Sequence, residues 1–268
     1  MISTEHIPFT RRGTGGPLLV IQGLSATQRF WGTKFLAELE QRFDVVTYDH
    51  RGVDKSPQRE GGFSVADLAR DAAEIIGAQG WRSAGIFGVS MGGMVAQELA
   101  LVRPEVVKYL VLGCTRANGG SFGRPGDVVT ERWVSAYVHG DEEATRRNMF
   151  KLSFSAHFTE RTDAWATYLE MTRIKVDSVT SVRQISAVRE FDVRERLANL
   201  NVPVMVMHGD EDEMVPYDEG IEIARRIRRA RFETIPDTGH FFWIERPSWT
   251  AKTLKAFATD AAPEMSTH

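Results

Sequence analysis

The sequence predicts an α/β fold, a mostly parallel sheet with helices on both faces. Strand-like and helical stretches alternate along most of the chain, the pattern of strands joined by helical crossovers. At 268 residues with 42% apolar content the chain can bury a large core, and α/β folds of this length often form one domain. One strand runs straight into Gly-x-Ser-x-Gly and then a helix, a junction that lifts a serine above the edge of such a sheet.

Taken in order, residues near 7–12 read as an antiparallel edge pair that ends in Gly13-Thr14-Gly15-Gly16. Strands follow at 17–21, 44–48, 84–87, 109–112, 202–207 and 231–235. Between Ser64 and Gly80 the pattern is helical, with Ser64 as N-cap and Asp67 three residues later in a capping-box variant. The stretch 117–196 breaks the alternation and reads as several helices carrying Trp133, Tyr137, Phe150, Phe154, Phe158, Trp165 and Tyr168. This divides the chain into a main domain, 1–116 with 197–268, and an inserted helical segment, 117–196. The tail 261–268 is polar and is expected to fray.

The chemistry centres on Ser90 in Gly88-Val89-Ser90-Met91-Gly92. Small residues flank the serine because larger side chains would collide with the adjoining backbone in so sharp a turn. A helix pattern begins at once and stops at Arg103-Pro104. A serine hydroxyl is a poor nucleophile until a base takes its proton, so a base and a group to orient it are required. His208-Gly209-Asp210-Glu211-Asp212 follows one strand, and Pro236-Asp237-Thr238-Gly239-His240 follows the last. In a parallel sheet these loops share the carboxyl edge with the serine turn. The order serine, acid, histidine differs from that of chymotrypsin-like and subtilisin-like enzymes.

On these motifs the chain resembles the α/β-hydrolase-fold serine hydrolases of the carboxylesterase and lactonase kind. The resemblance extends to Leu18-Leu19-Val20-Ile21-Gln22-Gly23-Leu24, Tyr48-Asp49-His50-Arg51-Gly52 and His208-Gly209-x-x-Asp212-x-x-Val215-Pro216. It implies an eight-stranded type of sheet, with the helical insertion after the sixth strand forming a lid. It selects Asp212 as the acid over its neighbours Asp210 and Asp237, giving a triad of Ser90, Asp212 and His240. It also implies an oxyanion hole made by the backbone amides of Leu24 and Met91. Many relatives carry His-Gly where this chain has Gln22-Gly23. The donors are backbone groups, so the difference bears on loop shape and substrate preference. Within the lid and beside the histidine, Trp133, Phe154 and Phe241 are the candidate substrate contacts.

Other features have plainer readings. Gly13-Thr14-Gly15-Gly16 lacks the spacing and the lysine of a phosphate loop and reads as a turn. The acidic run 210–213 lacks a calcium-loop pattern, and neither a metal nor an organic cofactor is expected. His208 reads as a backbone-satisfying residue, and Asp49 and Arg51 as braces at the sheet edge. A net charge of −3 with dispersed basic residues argues against a nucleic-acid partner. The single cysteine, Cys114, excludes an internal disulfide framework and reads as a core thiol in a reducing compartment. The start lacks a secretory pattern and no run suits a membrane span, so a cytoplasmic protein is expected.

The expected reaction is hydrolysis of a fairly apolar small-molecule ester or lactone through an acyl-enzyme. The same residues could instead cleave a carbon–carbon bond of a diketone-type substrate. They could also serve a cofactor-free oxygenase or lyase, or a ligand receptor. The fold alone does not choose among these.

Overall fold

The computed structural model describes residues 7–58, 60–120, 122, 130–131 and 142–261. The strands are β1 (Phe9–Arg12), β2 (Gly16–Ile21), β3 (Phe43–Tyr48), β4 (Ala84–Val89), β5 (Val107–Gly113), β6 (Val204–Gly209) and β7 (Arg231–Ile235). They form a 7-stranded sheet in the order β1-β3-β2-β4-β5-β6-β7. Only the β1–β3 pairing is antiparallel.

One expectation is corrected here. The described sheet has one antiparallel edge strand, not a pair, since 13–16 turns the chain directly into β2. Among the described residues the helical insertion follows β5. The tail 262–268 and the insertion residues Trp133 and Tyr137 lie outside the described residues.

Side chains alternate across the central strands, and both sides are apolar because both faces are covered. Leu19, Ile21, Ile86, Leu110 and Val206 face one layer. Helices α2 (Val65–Ala78), α3 (Met91–Val102) and, later in the chain, α8 (Tyr217–Arg226) pack there through Leu68, Ile75, Val95, Leu99 and Ile223. Leu18, Val20, Phe87, Val111 and Met205 face the other layer. There α1 (Thr33–Glu40) and α10 (Pro247–Asp260) bury Phe35, Leu39 and Leu254.

Between β5 and β6 the described insertion contains α4 (Glu142–Ser153), α5 (Ala156–Thr159), α6 (Ala164–Met171) and α7 (Ser178–Glu190). Its two ends are pinned together: Gly119 N donates to Phe191 O at 2.7 Å and Val193 N to Ala117 O at 2.9 Å. Among the described residues no helix is long and apolar enough to cross a membrane.

Local signals account for much of this. Ser64 caps α2 with both halves of the capping box, its side chain accepting from Asp67 N while Asp67 accepts from Ser64 N. Arg51 and Asp71, both buried, form a two-bond pair of 2.7 and 2.6 Å that ties the loop after β3 to α2. Asp49 accepts from the backbone and side-chain amides of Gln28 at 2.6 and 2.9 Å.

The junction of β4 and α3 is the tightest part of the fold. A Cβ on Gly88 would lie 2.2 Å from Gly92 O, and one on Gly92 would lie 2.1 Å from Ile21 O. Neither neighbour is a side chain that could swing aside. Gly92→Ala should therefore cost about 2 kcal/mol or more through forced backbone shifts. Thermal unfolding should register this as a melting point lowered by roughly 4 °C or more. Gly16→Ala, with no neighbour inside 4 Å, should leave the melting point within about 2 °C of the parent.

Candidate active site

Five loops meet above the carboxyl ends of the parallel strands, and backbone strain gathers in them. Of the six described non-glycine residues with positive φ, five lie here: Ser25 follows β2, Asp54 follows β3, Ser90 follows β4, Cys114 follows β5 and Asp237 follows β7, while Arg229 precedes β7. Left-handed backbone at non-glycine positions is costly and persists where surrounding structure imposes it.

Ser90 sits at φ 54°, ψ −124° as the residue before α3. Its N–H donates to Gly113 O at 3.0 Å, and Thr115 Oγ1 donates to its carbonyl at 2.6 Å. Strand β5 and the residues after it thus clamp the turn. Helix α3 starts at Met91, so the first amides of the helix point their unpaired N–H groups toward this end. Among the described residues, neither the Leu24 nor the Met91 N–H has a protein acceptor.

Asp212 and His240 are joined by a 2.8 Å bond between Asp212 Oδ2 and His240 Nδ1. Asp212 Oδ1 accepts from the amides of Met214 and Val215 at 2.8 and 2.9 Å, and His208 Nε2 lies 3.2 Å from Oδ2. Burial by itself would raise this carboxyl; the charges and hydrogen bonds of His240 and His208 outweigh burial and hold it well below the usual range. An ionised carboxylate only accepts, so the hydrogen of that bond belongs to His240 Nδ1. Of the two rival acids, Asp210 is exposed and the Asp237 side chain is 73% exposed. Only Asp212 reaches the ring.

The loops are stitched to one another. Glu211 N donates to Thr238 O at 3.0 Å. Glu245, in α9 (Phe242–Glu245), accepts from Gly239 N at 2.9 Å, Ser155 N at 3.0 Å and Ser155 Oγ at 2.6 Å. One carboxylate therefore ties the histidine loop to the helical insertion. Burial raises its pKa, against those hydrogen bonds.

Ser90 and His240 line one cavity with Gln22, Leu24, Met91, Phe241, Trp243 and, from the insertion, Phe122 and Val188. Its volume is about 80 Å³. A larger groove of about 670 Å³ lies between β1, α1 and the insertion and holds none of Ser90, Asp212 or His240. Phe241 lines the cavity. Phe154 does not: it stacks on Phe158 with centroids 4.6 Å apart and meets Phe241 edge-on at 5.4 Å, inside the aromatic core of the insertion. The third candidate contact, Trp133, falls outside the described residues.

Two neighbours of the site were not apparent from the sequence. Glu245 is one, since its partners are distant in the chain. Cys114 is the other: its Sγ lies 3.9 Å from His240 Nε2. The ligand atoms of Cys114, Asp212 and His240 fall within 4.8 Å of one another, yet burial and the Asp212 charge push the thiol well up. A neutral thiol is a poor metal ligand.

Comparison with known proteins identifies the fold family. Residues 16–247 match the family described as the alpha/beta hydrolase fold. The chain belongs to the α/β-hydrolase fold family. It is 30% identical over 248 residues to RutD of Azorhizobium caulinodans, provisionally named a carbamate hydrolase, covering 91% of this chain and 92% of that protein. It is 28% identical over 264 residues to BpoC of Mycobacterium tuberculosis, provisionally named a non-heme bromoperoxidase, covering 95% and 98%. The crystal structure of a hydrolase from Pseudomonas aeruginosa superposes with a TM-score of 0.79 at 27% identity, covering 93% and 92%.

The state of Cys114 gives a direct test. A raised pKa keeps the thiol protonated below that pKa, so in the native protein at pH 7–9 iodoacetamide should leave it unmodified, and denaturant should release one reactive thiol per chain. Rapid native alkylation, read by intact mass, would contradict a buried neutral thiol.

Proposed function

We propose that the protein is a serine hydrolase that cleaves an ester or lactone of a small molecule through Ser90, His240 and Asp212. The observation that carries the proposal is the 2.8 Å bond from Asp212 to His240 Nδ1. His240 and Ser90 line the same cavity, and Nε2, which has Cys114 Sγ 3.9 Å away, is the proposed base.

In the proposed reaction Nε2 takes the Ser90 proton while Oγ attacks the substrate carbonyl. The amides of Leu24 and Met91 receive the oxyanion, each donor supplying roughly 3 kcal/mol of transition-state stabilisation. Asp212 fixes the imidazole orientation and stabilises the imidazolium that forms. His240 then gives its proton to the leaving alcohol. A water, deprotonated by the same nitrogen, attacks the acyl-enzyme; as the acyl–oxygen bond breaks, Nε2 returns its proton to Ser90 Oγ and the acid is released. Every proton moves through one side-chain atom, and no external electron carrier enters the balance.

The insertion is proposed to act as a lid. Phe122 and Val188 contribute to the cavity wall, and Glu245 bonds the insertion to the histidine loop. Apolar cover of this kind excludes water and strengthens the electrostatic contacts within. One relative is named a carbamate hydrolase and another a bromoperoxidase, so the choice of an ester or lactone rests on the serine, base and donors of this chain.

Ser90→Ala should lower turnover of a short activated ester such as 4-nitrophenyl acetate by a factor on the order of 10⁴ or more. Asp212→Asn should cost a factor on the order of 10³ or more, because the histidine loses its tautomer and orientation. Circular dichroism should show both variants folded. A Ser90→Ala protein that retains the parental rate would remove the nucleophile from the mechanism.

A further inference from the structure

We infer that Glu245 is a positioning residue, which makes docking of the helical insertion a condition for holding His240 in place. The inference rests on the hydrolase reading above and deepens it, giving the insertion a part in catalysis beyond covering the serine.

Asp212 holds the His240 ring, but a ring stays on its partner only if the backbone beneath it is fixed. Both chain neighbours of His240 are tied to the insertion. Phe241 N donates directly to Ser153 O at 3.0 Å. Gly239 N donates at 2.9 Å to Glu245 Oε1, the oxygen that also accepts from Ser155 N at 3.0 Å. Glu245 Oε2 accepts from the Ser155 hydroxyl at 2.6 Å. That hydroxyl in turn accepts from Phe158 N at 3.2 Å and caps α5.

The joint is packed as closely as it is bonded. A Cβ on Gly239 would lie 2.7 Å from the carbonyl carbon of Phe154 and 2.9 Å from Ser155 N, so the two backbones touch. The acid loop grips the same segment, for Glu211 Oε2 accepts from Ala156 N at 3.2 Å. Ser153 Oγ lies 3.8 Å from Met214 Sδ, and the Met214 amide donates to Asp212. Residues 153–156 therefore join the acid loop to the histidine loop. Glu245 supplies three of the bonds at this joint, and bonds to a charged acceptor are the stronger kind.

Without the carboxylate, the amides of two buried residues, Gly239 and Ser155, lose their acceptor. That loss is costly unless the loops part and admit water. Parting them moves the residue between Gly239 and Phe241. Glu245 does not line the cavity, so its effect on the reaction passes through His240.

Hydrolysis of 4-nitrophenyl acetate tests this with the full-length protein, at a temperature where circular dichroism shows each variant folded. Glu245→Ala should lower kcat and kcat/KM together by a factor on the order of 10², the penalty of a base displaced by about 1 Å. Glu245→Gln keeps one carbonyl oxygen for both amides and should stay within roughly tenfold of the parent. A carboxylate that only stiffens the fold would lower the melting point and leave both constants unchanged; that result would overturn the inference. Should Glu245→Ala fail to fold, Ser155→Ala removes the hydroxyl bond alone. It should lower both constants by roughly fivefold, and parental values would overturn the inference.

Imidazole nitrogen shifts of His240, assigned by their absence from His240→Ala, supply a readout independent of turnover. The parent should show a ring protonated on Nδ1, Glu245→Ala the mixed tautomers of a released ring, and Glu245→Gln the parental pattern. That outcome in a protein that cleaves no ester supports the positioning role and counts against the hydrolase reading alone. Parental rates and parental shifts in Glu245→Ala would reject the positioning role and leave the hydrolase reading standing.

Discussion

The strained turn at Ser90 is the constraint on which the rest of the site depends. Its left-handed backbone is held by bonds from β5 and Thr115 and by glycines packed against the carbonyls of Ile21 and Gly92. Because β4 lies between β2 and β5, the loop carrying Leu24 reaches the serine from one side. The loops after β5, β6 and β7 reach it from the other, bringing Cys114, Asp212 and His240. Neither arrangement survives if the turn relaxes. The same packing that forbids a side chain at Gly92 therefore fixes where a hydroxyl can meet a base.

Buried charge is handled in three different ways, and the contrast is informative. Arg51 and Asp71 neutralise each other and brace a loop. Asp212 is compensated by two histidines and two amides, so that its burial organises the His240 ring rather than protonating the carboxyl. Arg116 is compensated only at a distance. Removing a charge from water costs several kcal/mol unless partners restore the loss.

Much of this was legible in the sequence because it is local. The elbow, the capping box at Ser64 and the strand ends before Asp212 and His240 each follow from residues within a short window. Element bounds shifted by one or two residues at most strands, since pairing with neighbours decides where a ladder ends. What was hidden is tertiary. The sequence order gives no sign that Cys114 stands beside His240, that Glu245 bridges to Ser155, or that Arg116 pairs with Glu219. Phe154 illustrates the limit from the other side: an aromatic in the insertion looked like a substrate contact, yet stacking with Phe158 and Phe241 absorbs it into the core.

The central claim is that the Asp212–His240 pair makes Ser90, alone among the hydroxyls of this chain, a nucleophile. The most direct measurement is incubation with a fluorophosphonate, followed by intact mass and peptide mapping. The account predicts one phosphonyl group per chain, located on Ser90 and absent when His240 is replaced by alanine. A folded protein that takes up no label, or takes it up elsewhere, would contradict it.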